Sequence, residues 1–146
     1  MNVSEISAAT ELRESVMAVA RQMRRHRPDN GLTLSQMQLL GEISRAGVTT
    51  PAELGARLQV RTQSLTDSLN ELEGRGLIAR RADEADRRRQ LVEMTAEGLA
   101  MVASDRAERD AWLRDTMRDT LTTLEFDLLM LVAPILRKLA SADSAR

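Results

Sequence analysis

The densest chemistry in this chain lies in Asp86-Arg87-Arg88-Arg89, where one carboxylate and three guanidinium groups crowd into a single polar turn. A guanidinium is planar, permanently charged and rich in donors, which suits phosphate oxygens and the negative potential of a narrow minor groove. Asp86 stands two residues from Arg88 and is placed to orient its guanidinium, lowering the ordering cost when a ligand arrives. Between Gly74 and Val92, Arg75, Arg80, Arg81, Arg87, Arg88 and Arg89 outnumber Asp83, Glu84 and Asp86, a local charge of +3 in a chain whose net charge is -1. Upstream, a helix begins at Thr62; Gln63, Thr66, Asp67 and Asn70 fall at helical spacing on the side opposite Leu65, Leu69 and Leu72, and Thr62 stands at its exposed start. Short amides and hydroxyls of this kind can reach donors and acceptors on base edges, while Asp67 can accept from a cytosine amino group or hold an arginine. Arg61, Ser64, Arg75, Arg80 and Arg81 are candidates for phosphate contacts, as is Thr50 at the start of its own helix.

Other chemistries find little support. The absence of cysteine removes disulfides, thiolate metal sites and thiol-based oxidant sensing. The single histidine, His26, cannot build a multi-histidine zinc site and reads as a surface residue at a helix end. No glycine-rich phosphate loop, nucleophile elbow or suitably placed base is present, so an enzyme is not expected, and neither is a cofactor or a metal. The scattered carboxylates read as helix surface. No basic segment leads into an apolar run at the N-terminus, so no signal peptide is expected and the expected location is cytoplasmic. The longest apolar stretch, Leu128 to Leu136, is interrupted by Pro134 and is about half the length of a membrane span. Its place is a buried helix, and no membrane partner is expected.

The elements that must position the polar groups can be read from local signals. A helix spans about Ser4 to His26, with Ile6, Ala9, Leu12, Val16, Val19 and Met23 on one face, and ends at the turn Arg27-Pro28-Asp29-Asn30-Gly31. Thr33 and Gln36 form a capping box for the next helix, which turns Met37, Leu40 and Ile43 inward. Thr50-Pro51-Ala52-Glu53 is another, with proline at the first helical position. That helix is short: Gln59-Val60-Arg61 interrupts it, and a second helix begins at Thr62 and ends near Gly74 or Gly76. Leu77 to Arg81 and Gln90 to Met94 read as the two strands of a hairpin, and Thr95 caps a long helix from Ala96 to about Leu121. A last helix, capped by Thr122 or Thr123, runs through Ala140.

Helix, turn, helix and hairpin in that order describe a winged helix-turn-helix. Asp86-x-Arg88, Leu91, Met94-Thr95 and Glu97-Gly98, preceded by Leu69-x-x-Leu72-Glu73-x-x-Gly76-Leu77-Ile78-x-Arg80, resemble the MarR (multiple antibiotic resistance regulator) family of winged-helix transcription factors. The resemblance extends over nearly the whole chain, although Phe126 and Trp112 are the only aromatic residues besides His26, where the family usually has more. It implies a mainly α fold with a small β-hairpin wing: one domain over residues 1–146, with a DNA-binding lobe at 33–95 and dimerisation helices at 1–27 and 96–146. The apolar residues of the last helix, from Leu124 to Leu139, cover more than one face, which independently favours a homodimer. Two lobes on a two-fold axis would bind double-stranded DNA at a pseudo-palindromic operator. The resemblance further implies a small-molecule effector, for which Arg13, Met17, Met23, Met37 and Trp112 could line a cavity without defining one; the effector-binding residues stay unknown. A repressor is the expected role, since blocking a promoter requires only occupancy. The alternative is a protein-protein interaction module whose arginines meet an acidic partner.

Overall fold

Three of the helix starts are set by the same local device. The Thr33, Thr50 and Thr122 hydroxyls each accept from the backbone N–H three residues on, while Gln36, Glu53 and Glu125 reach back to the cap amides. The computed structural model describes residues 3–142. Its elements are α1 (Val3–Arg25), α2 (Leu34–Ala46), β1 (Val48–Thr49), α3 (Pro51–Leu58), α4 (Thr62–Gly74), β2 (Ile78–Ala82), β3 (Gln90–Met94), α5 (Ala96–Thr120) and α6 (Thr123–Ser141). The choice between Thr122 and Thr123 as the last cap falls to Thr122, whose carboxylate partner Glu125 is held well ionised by the Thr122 amide and hydroxyl.

The described chain divides into two compact units. One runs from residue 27 to 108; the other contains α1 and the chain from residue 109 onward. The first is wider than the 33–95 expected, because the opening turns of α5 belong to its core: Gly98 and Val102 are buried there. The outermost ends of the expected dimerisation segments, residues 1–2 and 143–146, lie outside the described residues.

In the first unit Leu40, Ile43, Leu54, Leu69, Leu72 and Val92 are fully buried, so α2, α3, α4 and the sheet share one apolar centre. The hairpin is joined by a third strand. β1 pairs with β3 on the side away from β2, giving the order β1-β3-β2, all antiparallel. A two-residue strand has no periodicity to detect, and only the ladder with β3 defines it. The first hairpin strand starts one residue later than expected. Gly76, with φ of 72°, closes α4: its amide bonds the Glu73 carbonyl and the Leu77 amide the Leu72 carbonyl, a Schellman turn that occupies Leu77.

The reading of every carboxylate as helix surface fails at Asp105. It is 1% exposed and lies 3.4 Å from Nε of Arg27, an ion pair inside the lobe. Helical charge pattern alone does not reveal which side of α5 the lobe covers.

In the second unit, α6 has no buried residue. Leu124, Leu128, Leu131, Ile135 and Leu139 stand open, as do Ile6, Leu12, Val16 and Val19 of α1. His26 stacks on Trp112, the ring centroids 4.7 Å apart and the planes 13° from parallel.

Candidate nucleic-acid interface

The helix-turn-helix is built on two leucine contacts and one left-handed residue. Leu54 anchors α3 and Leu65 the first turn of α4, while Gln59, with φ of 51°, turns the chain between them. Arg61 occupies the cap of α4 with an extended backbone and no side-chain cap bond, so the first turn of α4 keeps its amides open. The cap thus leaves a partially positive helix end beside a cation.

Thr62, Gln63, Ser64, Thr66, Asp67 and Asn70 are all exposed on α4, so the lobe brings the predicted base-reading residues onto one face. They are also preordered. The Thr66 hydroxyl donates to the Thr62 carbonyl at 2.9 Å, and Nε2 of Gln63 donates to Asp67 at 3.1 Å. Asp67 thus holds Gln63 rather than an arginine. Asn70 accepts through Oδ1 from Nη2 of Arg80 at 2.8 Å.

Three predicted phosphate contacts are committed elsewhere. Thr50 is buried, and its hydroxyl is spent on the α3 cap. Arg75 donates to the carbonyls of Gly31 at 2.7 Å and Asn30 at 2.9 Å, latching the end of α4 to the loop before α2. Arg80 is drawn in against Glu73, whose carboxyl falls below its usual range chiefly because Arg80 hydrogen-bonds the charged form. For the two arginines, oxygen atoms of the same lobe already hold the guanidinium. Arg81 stays half exposed, 3.5 Å from Glu93.

The wing tip holds a different arrangement from the one its sequence suggests. Asp86 does not grip the Arg88 guanidinium; its Oδ1 accepts from the Arg88 backbone amide at 3.0 Å, and its carbonyl accepts from the Arg89 amide at 2.9 Å. The carboxylate shapes the turn instead of the side chain, because the amide two residues on is the nearest donor for an aspartate at a turn. Arg87 and Arg88 are exposed and make no ion pair among the described residues, whereas Arg89 lies 3.9 Å from both Asp83 and Glu53. Glu53 is held ionised mainly by the Thr49 hydroxyl and the Thr50 amide, with Arg89 a smaller contributor.

Residues that sequence reasoning missed are the positioning ones. Gln36, read only as a cap partner, also donates through Nε2 to Glu71 at 2.6 Å, tying α2 to α4. Glu73 was part of the motif but carried no assigned role. A carboxylate near the end of a helix, followed by an arginine in the next strand, is a signal for such a tie that could have been used.

The residues considered for an effector are dispersed over the described chain. Met37 is in the lobe core, Met17 is exposed and Arg13 pairs with Glu14 on the surface. A cleft of about 700 Å³ does open between α5 and α6, lined by Leu113, Arg114, Met117, Leu121, Phe126 and Met130 among others. Among the described residues no group of three or more His, Cys, Asp or Glu could hold a metal ion, and no helix is long and apolar enough to cross a membrane.

The MarR family model matches residues 30–89, which contain α2 to α4 and reach the wing tip. Over 136 residues the chain is 31% identical to the uncharacterized HTH-type transcriptional regulator ML2140 of Mycobacterium leprae, covering 93% of this chain and 94% of that protein. The chain belongs to the MarR family. As a MarR-family helix-turn-helix regulator it shares its fold with solved structures. A candidate transcriptional regulator from Pseudomonas aeruginosa PA01 superposes with a TM-score of 0.85 at 34% identity, covering 96% of this chain and 99% of the other. A mutant MarR from E. coli complexed with operator DNA gives 0.62 at 26% identity, covering 95% and 99%.

Proposed function

We propose that this MarR-family protein is a homodimeric, sequence-specific DNA-binding repressor that recognises a pseudo-palindromic operator and is released from it by a small-molecule effector. The observation that carries the reading is the exposed, short-chained polar face of α4 on a lobe whose wing ends in two arginines without partners among the described residues. The DNA-bound relative supports it. Thr62, Gln63, Thr66 and Asn70 read base edges in the major groove, Arg87 and Arg88 enter the adjoining minor groove, and Arg61 and Ser64 hold phosphates at the open end of α4. Arg89 joins the wing contacts by exchanging its two distant carboxylates for DNA, and Asp86 contributes by shaping the turn.

The homodimer rests on the uncovered apolar residues of α1 and α6, which need a second copy to leave water. Two lobes then meet successive major grooves about one helical turn apart. Repression follows from occupancy of a promoter, and effector release follows if ligand binding favours a lobe separation that no longer fits the operator.

Selection of bound sequences from a random duplex library, followed by titration of the enriched sequence at several salt concentrations, tests the reading. A pseudo-palindrome with a steep salt dependence is expected. No enrichment over random duplex, with the arginines instead retaining an acidic protein, would replace it with the interaction-module reading.

A further inference from the structure

Arg80 departs from the role its charge suggests. It sits in β2 with its side chain only 16% exposed, bridging to the last two turns of α4. Its Nε donates to Glu73 Oε2 at 2.9 Å, its Nη2 makes a shorter contact with the same oxygen, and Nη2 also reaches Asn70 Oδ1 at 2.8 Å. Glu73 is kept ionised by this arginine, so the charge of Arg80 is answered within the lobe. A phosphate would have to displace a carboxylate that is already in contact.

We propose that Arg80 is a positioning residue that sets the orientation of Asn70, so that Asn70 offers its amide donors to a base acceptor in the major groove. The inference rests on α4 being the base-reading helix, as proposed above. A guanidinium has donors and no acceptor, so the Asn70 side chain must turn its oxygen toward Arg80 and its NH2 away. A free asparagine favours adenine because it can accept from N6 and donate to N7 together. With Oδ1 engaged by Arg80, Asn70 reads acceptors: a purine N7, guanine O6 or thymine O4. Glu73 makes the orientation durable, since it holds Arg80 from one helical turn beyond Asn70 and ties the reading residue to the sheet.

The test measures binding of the full chain to the sequence it selects and to variants of that sequence changed at single base pairs, at several salt concentrations. The proteins are wild type, Arg80→Ala, Arg80→Lys, Asn70→Ala, Asn70→Asp and the Arg80→Ala/Asn70→Ala double variant. Arg80→Ala and Asn70→Ala should lose discrimination at the same base pair, by about 5- to 150-fold, the range of one good base contact. The double variant should be no worse than either single one, and the salt slope should stay as in wild type, because no phosphate contact is lost. Arg80→Lys, which keeps the charge but not the fork, should behave like Arg80→Ala. Asn70→Asp keeps an oxygen for Arg80, so the fold is preserved, yet it removes the donors and should lose the same discrimination. Uniformly weaker binding by Arg80→Ala with a salt slope reduced by about one would make Arg80 a phosphate contact and overturn the proposal. Unaltered discrimination by Asn70→Asp would overturn it independently. A wild-type chain that selects no sequence would remove the base-reading premise itself, an outcome separate from either of these.

Discussion

A methyl group at Gly98 would stand 2.0 Å from the Leu77 carbonyl oxygen, closer than any real contact allows. The reason is the neighbouring Thr95, whose amide and hydroxyl donate to the carbonyls of Leu77 and Gly76, drawing the start of α5 onto the turn between α4 and β2. The Thr-x-x-Gly spacing is thus a docking device, in which the threonine supplies the bonds and the glycine the room. Gly98→Ala should destabilise the lobe by at least about 3 kcal/mol in chemical denaturation, at the upper end of overpacking costs; a near-neutral result would mean that α5 can shift without loss. Arg88→Ala should weaken operator binding by about 1 to 3 kcal/mol and leave the fold unchanged, and an unaltered dissociation constant would refute the wing assignment. The Glu73 tie predicts a pH dependence. Its folded-state pKa lies below the usual 4.5, so the stabilisation is fully present above that value and disappears as pH falls through the lower folded value. The stability gap between wild type and Glu73→Gln should therefore close on acidification below pH 4.5, and a gap that persists in acid would assign it to packing instead.

α2 and α3 are begun by threonine side chains and ended by a glycine or a left-handed residue, which is why their boundaries are close to the sequence reading. Thr122→Ala should cost about 1 kcal/mol by removing the α6 cap, read as a lowered melting temperature, and no change would show that dimer contacts hold that end. The strand that escaped the reading, β1, is too short to carry a period and exists because Val48 and Thr49 line up with Glu93 and Val92. α4 was legible as a helix with one apolar side, yet its polar side does not act as separate residues. Gln63 is spoken for by Asp67, Thr66 by a backbone carbonyl, and Asn70 by Arg80. Spacing identifies a face; only contacts distinguish a free group from one that is already bonded.

For the whole molecule, the uncovered apolar side chains of α1 and α6 are what a second copy covers under the proposed reading. Removing residues from Leu124 onward should abolish dimers and operator binding together, measured by sedimentation and titration. A truncated chain that still sediments as a dimer would place the interface elsewhere. The proposed effector belongs to this scale too, and the sequence was least informative about it: Met37 is in the lobe core, Met17 is exposed and Met23 is half-buried.

What the sequence determined by itself is what local chemistry controls. Capping boxes, the period of Leu65, Leu69 and Leu72, the Gly76 turn and the arginine-rich tip depend on neighbours a few residues apart, so the order of elements and the location of the candidate interface were readable. The tertiary structure decided which polar groups remain for a ligand. Arg75, Arg80 and Thr50 carry the same functional groups as Arg88 and Thr62, but Arg75 and Arg80 meet oxygen atoms brought from distant or adjoining elements, and the folded lobe buries Thr50. Asp105 was lost to the surface reading for the same reason, since its partner Arg27 lies 78 residues away in the chain and only folding brings the two charges together.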